Sequence, residues 1–119
     1  MMKWQAQDPP RIFSVGVNQS IEIRDHGDIF LEPDGQVTFV TQSGARHDFA
    51  AKDWGFYATP SLNGRLAGEG FKTALVQNDS GRIYIMVVEI GKLHLFERYC
   101  QVENQILLEW LDERNGSEE

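Results

Sequence analysis

One short stretch of the sequence carries most of the side chains that could recognise a ligand. Residues 53–66 combine three aromatic residues, two glycines, a proline and several hydrogen-bonding groups. Trp54 and Tyr57 could form a stacking wall, and the guanidinium of Arg65 could act as a fork for a carboxylate or phosphate. Loops on a rigid scaffold carry function disproportionately often. The candidate ligand-binding residues are therefore Asp53, Trp54, Tyr57, Ser61, Asn63 and Arg65.

A structural role for the same stretch is the alternative. Phe56, Tyr57 and Leu62 could close one end of the core. The side chain of Asp53 or Asn63 could hydrogen-bond to nearby backbone, as such residues do in turns. The sequence leaves both interpretations open.

Histidines beside carboxylates are the next candidates for chemistry. His26 with Asp28, and His47 with Asp48, could bind a metal or exchange protons. Neither spacing is a zinc signature, and a metal site needs three or four converging ligands. In an alternating strand, His47 would point away from Asp48. We therefore expect no metal site and no cofactor.

The possible nucleophiles have little support from their surroundings. Ser61 does not lie in a G-x-S-x-G turn, so a serine triad with His47 and Asp48 is unsupported. Cys100 falls on the apolar face of a predicted helix, where a thiol behaves as a small hydrophobic group. The glycines between residues 55 and 70 match neither phosphate-loop pattern. No catalytic residue is assigned.

The elements that must position these residues begin with short strands. Turn-forming residues recur at 25–28, 33–35, 43–44 and 78–81, with alternating apolar residues between most of them. This spacing predicts an antiparallel meander. Asp8-Pro9-Pro10 blocks a helix, so residues 1–10 are expected to form a flexible arm.

The second half of the chain predicts a strand–helix–strand unit. Residues 83–88 form the most hydrophobic run and are expected to be a central strand covered on both faces. A helix is predicted over about 92–103, packed on one face of the sheet, and a final strand over 106–111. A helical crossover usually returns the chain parallel to its starting direction. The predicted class is α+β, with a mostly antiparallel sheet of about six to eight strands.

Length and composition exclude several classes of protein. A chain of 119 residues fits one domain, 1–119, with a frayed acidic tail over about 112–119. The net charge of −7 argues against binding to nucleic acid or to an anionic membrane surface. The single cysteine excludes an internal disulfide, and no apolar run approaches the ~18 residues of a membrane span. A cytoplasmic location is expected.

Three functions are compatible with these features. The leading hypothesis is a small non-catalytic binding or accessory domain that presents residues 53–66 to a polar small molecule or a partner protein. The second is a small lyase, isomerase or hydrolase that uses His47, Asp48 or Glu89 beside the same loop. The third is a self-association module that pairs an exposed edge strand, near residues 106–111 or in the N-terminal hairpins, with another copy. The expected oligomeric state is a monomer or a weak homodimer.

Overall fold

Residues 2–114 are described by a computed structural model of the chain. They form eight strands in three antiparallel sheets, with the main helix in the C-terminal half, which confirms the α+β class. The elements are β1 Met2–Val15, β2 Ile21–Leu31, β3 Gln36–Val40, β4 Arg46–Lys52, β5 Gly55–Ala58, α1 Arg65–Gly68, β6 Phe71–Gln77, β7 Ile83–Glu89, α2 Leu93–Val102 and β8 Ile106–Trp110. Short 3-10 turns precede α2 and follow β8. In the described part of the chain, no helix is long and apolar enough to cross a bilayer.

The chain divides into two compact units. The first consists of Met1–Val37 and Phe49–Tyr57, and the second of Thr38–Asp48 and Ala58–Glu119. The three sheets have the strand orders β1-β2, β3-β4-β5 and β7-β6-β8. The single domain predicted from the sequence stays a prediction.

The first unit contains a long antiparallel hairpin of β1 and β2. Residues 2–10, expected as a flexible arm, belong to β1, which pairs with β2 from Met2↔Leu31 to Val15↔Ile21. The register shifts between Ala6 and Arg11, where two prolines cannot donate to the ladder. The arm prediction overlooked that a bulge can absorb such residues without ending the strand.

The turn predicted at residues 25–28 is also corrected, because β2 runs through it without a break. Gly27 has φ +139° and lies under the indole ring of Trp4 on β1. A Cβ atom at Gly27 would approach that ring to 2.9 Å. The glycine therefore serves a close packing contact across the hairpin and does not reverse the chain.

The second unit is built on the sheet β7-β6-β8. The strand β6 pairs antiparallel with β7 on one side and with β8 on the other, so β7 and β8 run in the same direction. The crossover through α2 therefore returns the chain parallel to β7, as predicted. The strand β8 nevertheless pairs with β6, which is antiparallel to it. Helix α2 lies on one face of this sheet, where the ring of Phe96 is 5.7 Å from that of Trp110.

The prediction that residues 83–88 form the central strand is wrong. The central strand is β6, in which Phe71, Thr73, Ala74 and Val76 are buried. The strand β7 is an edge with mostly exposed apolar side chains. A hydrophobic run identifies a strand, but its place in the sheet depends on distant pairing that the run does not encode.

The start of the predicted frayed tail is ordered as well. Lys72 in β6 lies 2.9 Å from a carboxylate oxygen of Glu113 and 3.7 Å from one of Asp112. The ammonium of Lys72 also lies over the ring of Trp110. Residues 111–113 therefore form a 3-10 turn that is tied to the sheet. The remainder of the predicted tail, 115–119, lies outside the described residues.

Candidate functional site

The aromatic half of the candidate stretch lies at the turn between β4 and β5, in the first unit. Trp54 and Phe56 are each 68% exposed, and Tyr57 is also exposed. The rings of Trp54 and Tyr57 are tilted by 31° with their centroids 6.2 Å apart. This is a favourable separation for an aromatic pair. The side chains predicted to form a stacking wall are therefore paired and accessible.

A second turn in the same unit braces this aromatic tip. The backbone N–H of Asp34 donates to the carbonyl of Ala51 over 2.7 Å, and that of Ala51 donates to Gly35 over 2.8 Å. The ammonium of Lys52 donates to the carboxylate of Asp34. That hydrogen bond is the largest cause of the raised pKa of Lys52. The end of β4 is thus fixed immediately before the turn that carries Trp54.

The polar half of the candidate stretch belongs to the second unit, where two of its side chains have structural partners. The hydroxyl of Ser61 accepts a hydrogen bond from the backbone N–H of Arg65 over 3.2 Å. The guanidinium of Arg65 donates to Asp48 over 3.3 Å and lies 3.7 Å from Glu69. Ser61 therefore holds the start of α1, and Arg65 already binds carboxylates of its own chain.

The six predicted residues are divided between the two units. Asp53, Trp54 and Tyr57 belong to the first unit, and Ser61, Asn63 and Arg65 to the second. The structure brings Trp54 and Tyr57 together, and it links Ser61 to the backbone of Arg65. Asp53 and Asn63 are exposed. Convergence of all six on one ligand stays a prediction.

The acid–base candidates of the second unit are engaged in local structure. His47 is buried with 4% exposure, and its ring lies 5.7 Å from that of Phe71. Burial is the main cause that lowers the pKa of His47. The carboxylate of Asp48 accepts from the hydroxyl of Thr38 over 2.7 Å, and this bond, followed by the one from Arg65, lowers its pKa. Both residues therefore favour fixed protonation states at neutral pH.

Glu89 is a further carboxylate with a structural partner. It accepts from the hydroxyl of Ser43 over 2.7 Å, which is the main cause of its lowered pKa. Its other oxygen lies 4.0 Å from the ammonium of Lys92. A carboxylate stabilised in its charged form is a weak base at neutral pH, so it is poorly suited to proton abstraction. Within residues 2–114, no group of three or more His, Cys, Asp or Glu side chains could hold a metal.

The sequence did not indicate a groove beside β7. It has a volume of about 320 Å³ and is lined mainly by apolar side chains of β7 and α2, among them Met86, Val88, Phe96 and Tyr99. Glu89 and Lys92 lie at its polar end. The available clue was the long apolar run at 83–88, which we assigned to the interior of the sheet. An exposed edge with the same composition leaves this surface open.

Comparisons with family models, with curated proteins and with solved structures gave no match. The functional argument therefore depends on the geometry of the chain itself.

Proposed function

We propose that the chain is a non-catalytic binding domain that presents the β4–β5 turn to a partner protein. The observation that carries this proposal is the exposure of Trp54 and Phe56, with Tyr57 in contact with Trp54. Aromatic residues are enriched at the centres of protein interfaces, and Trp and Tyr are frequent hot spots. Three adjacent aromatic side chains on a braced turn have this character. The single cysteine fits the cytoplasmic location expected for the domain.

The engaged polar groups favour a protein partner over a polar small molecule. Arg65 would have to leave Asp48 before it could form a bidentate pair with a ligand carboxylate. Ser61 would have to give up its hydrogen bond from the backbone of Arg65. An apolar surface around Trp54 needs no such rearrangement. The favoured partner is therefore one that buries the aromatic turn.

The enzyme alternative loses support for similar reasons. The ring of His47 is buried against Phe71, and the carboxylates of Asp48 and Glu89 accept from Thr38 and Ser43. Each group thus has a structural role within the second unit. We retain the binding function as the conclusion.

Site-specific photo-crosslinking tests this proposal. A photoreactive phenylalanine analogue is placed at Trp54 and, in a matched control, at Phe39, an exposed aromatic residue of β3. Adducts formed in the source cells are identified by mass spectrometry, and the purified partner is titrated against the protein by calorimetry. We expect an adduct from position 54 and not from position 39.

The affinity measurement then decides between a binding turn and an incidental contact. We expect Trp54→Ser to weaken binding of the purified partner by about 30-fold, since a hot-spot residue is worth ~2 kcal/mol. Phe39→Ser should leave the affinity unchanged. Equal adducts at both positions, or no loss of affinity in Trp54→Ser, would contradict the proposal. Amide shifts confined to residues 61–65 on addition of sugars, nucleotides or carboxylates would instead favour a polar ligand.

A further inference from the structure

We propose that the free edge of β7 pairs with β7 of a second copy of this chain, in an antiparallel register centred on Met86. Pairing of this kind would join the two β7-β6-β8 sheets into one continuous sheet. The argument uses only residues of the second unit and is independent of the aromatic turn.

The exposed edge of β7 is the first observation. Its side chains Ile83, Tyr84, Ile85 and Val87 are all exposed, and positions 83–88 contain no charge and no proline. In the strand order of this sheet, β7 has β6 on one side only. Natural proteins protect edge strands with charges, prolines, bulges or a covering element, since an apolar edge recruits other strands. This edge has the composition of a strand that is covered in the assembled protein.

The groove beside β7 is the second observation, and it is lined by the C-terminal half of the strand. Trp110, Ala74 and Met86 lie directly opposite one another across β8, β6 and β7, so they share one face of the sheet. Helix α2 covers this face, because Phe96 contacts Trp110. The groove is lined by Met86 from this face and by Val87 from the other. Residues from both faces of β7 therefore line the groove.

The two halves of β7 are complementary to each other. The N-terminal half presents exposed Tyr84 and Ile85, and the C-terminal half lines the groove with Val87 and Val88. A two-fold axis at Met86 sets Tyr84 opposite Val88 of the second copy, and Ile85 opposite the second copy's Val87. Tyr84 of each copy then enters the groove of the other. Isologous interfaces require such a self-complementary patch.

The register follows from the length of the strand. Directly opposed residues share a face, so a two-fold axis must pass through a residue of β7. An axis at Ile85 would place Arg82 opposite Val88 in the apolar groove. An axis at Ile85 or at Val87 would pair only five of the seven residues of β7. The axis at Met86 lies at the middle of the strand and pairs all seven residues of β7, with Ile83 opposite Glu89 at each end.

Helix α2 supplies the third observation. Leu95, Tyr99 and Val102 are exposed and follow the spacing of one helical face. The helix lies on the same side of the sheet as Met86, which marks the proposed axis. The two copies of α2 would therefore flank the axis on one side of the joined sheet. Contact between them would cover a stripe that is otherwise open to water.

The size of the contact sets its expected strength. The seven residues of β7 span about 24 Å. With the helix layer above the sheet, the footprint is roughly 24 by 20 Å, or on the order of 500 Å² per copy. Standard stable interfaces cover about 800 Å² per partner. We therefore expect a dimer that dissociates on dilution.

Sedimentation of the full chain over a range of concentrations tests the pairing. We expect a reversible monomer–dimer equilibrium in the wild type that Ile85→Lys abolishes, since a lysine on an edge strand prevents pairing. Ile12→Lys is the matched control, because Ile12 in β1 is 55% exposed and Ile85 is 57% exposed. The control should retain the wild-type equilibrium. A monomer at every concentration, or a dimer unaffected by Ile85→Lys, would overturn the proposal.

Oxidative cross-linking tests the register independently. In a Cys100→Ser background, Met86→Cys places two thiols at the axis, where opposed Cβ atoms are about 5 Å apart. Tyr84→Cys places its two thiols four residues apart along the strands, roughly 13 Å. With copper phenanthroline as oxidant, we expect a disulfide-linked dimer from Met86→Cys and not from Tyr84→Cys. Equal cross-linking of both, or of neither, would contradict pairing centred on Met86.

Discussion

The guanidinium of Arg65 donates to the carboxylate of Asp48 over 3.3 Å, and this contact joins the start of α1 to β4 within the second unit. The same carboxylate accepts from the hydroxyl of Thr38 over 2.7 Å. Both donors stabilise the charged form of Asp48 and lower its pKa, with Thr38 as the larger cause. Arg65, which the sequence suggested as a binding group for a ligand carboxylate or phosphate, is thus part of a structural network.

The first prediction concerns this ion pair. Arg65→Ala should lower the urea midpoint of unfolding slightly, because Asp48 and Glu69 lose their cationic partner. Added salt should reduce the difference from wild type, since Arg65 is half-exposed and its pairing is screened. Arg98→Ala, at an exposed site on α2, serves as the control and should leave the midpoint unchanged. A midpoint for Arg65→Ala equal to that of the control would show that the pair contributes nothing.

The second prediction concerns the anchor of α1. Leu66 is fully buried and lies in a helix that packs on β6. Leu66→Ala should reduce the free energy of unfolding by about 2–5 kcal/mol, because a cavity remains where the side chain was. Leu108→Ala removes the same atoms from an exposed position of β8 and should cost less than about 1 kcal/mol. Urea titration of both variants measures the difference, and similar losses would refute the assignment of Leu66 to the core.

Local turn chemistry was predicted well from the sequence except at residues 25–28, where β2 continues without a turn. The loop at 78–81 joins β6 and β7 as expected, with Gly81 at φ +87° and the side chain of Asn78 accepting from Ser80 and Arg82. The turn at 33–35 is also present, but Asp34 adopts φ +72° and not the glycine after it. Turn residues act on their near neighbours, so their effect is visible in the sequence.

Long-range pairing was the part that the sequence could not give. The apolar run 83–88 and the β6 sequence both read as strands, but only β6 has neighbours on both sides. Small residues such as Ala74 allow β6 to be covered closely on both faces, whereas β7 carries larger side chains at an open edge. Strand order depends on contacts between distant segments, and alternation within one segment does not report them.

In the candidate site, too, local features were easier to predict from the sequence than contacts between distant residues. Trp54 and Tyr57, which the sequence suggested as a stacking wall, are exposed with their ring centroids 6.2 Å apart, and their role in binding stays a prediction. Arg65 and Asp48 are 17 positions apart in the sequence, so no local pattern predicted their contact. Proposals based on residue type alone therefore overestimate how many polar groups are available to a ligand.

The third prediction is that replacing two glycines by alanine changes the stability of the fold in opposite directions. Gly81→Ala should destabilise the fold by about 1–2 kcal/mol, because an L-residue at φ +87° is strained. The nearest atom to the new Cβ would be the amide nitrogen of Gln77 at 3.9 Å, so crowding adds little. Gly68→Ala, at the end of α1 with open space around its Cα, should be neutral or stabilising by up to ~0.5 kcal/mol. Thermal unfolding of the two variants, compared with wild type, gives both signs. Equal shifts would contradict the left-handed assignment.

The fourth prediction concerns pH. The hydroxyl of Ser43 donates to Glu89 over 2.7 Å and is the main cause that holds the pKa of this carboxyl below its ordinary value of 4.5. The folded protein therefore binds a proton at Glu89 less readily than the unfolded chain. The resulting stabilisation is fully present above pH 4.5 and is lost as the pH falls through the folded pKa.

Ser43→Ala should accordingly lower the urea midpoint at neutral pH, and the difference from wild type should shrink below pH 4.5. Ser14→Ala, at an exposed position of β1, should show no such pH dependence. A difference between Ser43→Ala and wild type that is constant across this range would mean that the serine stabilises the fold by a route other than the charge of Glu89.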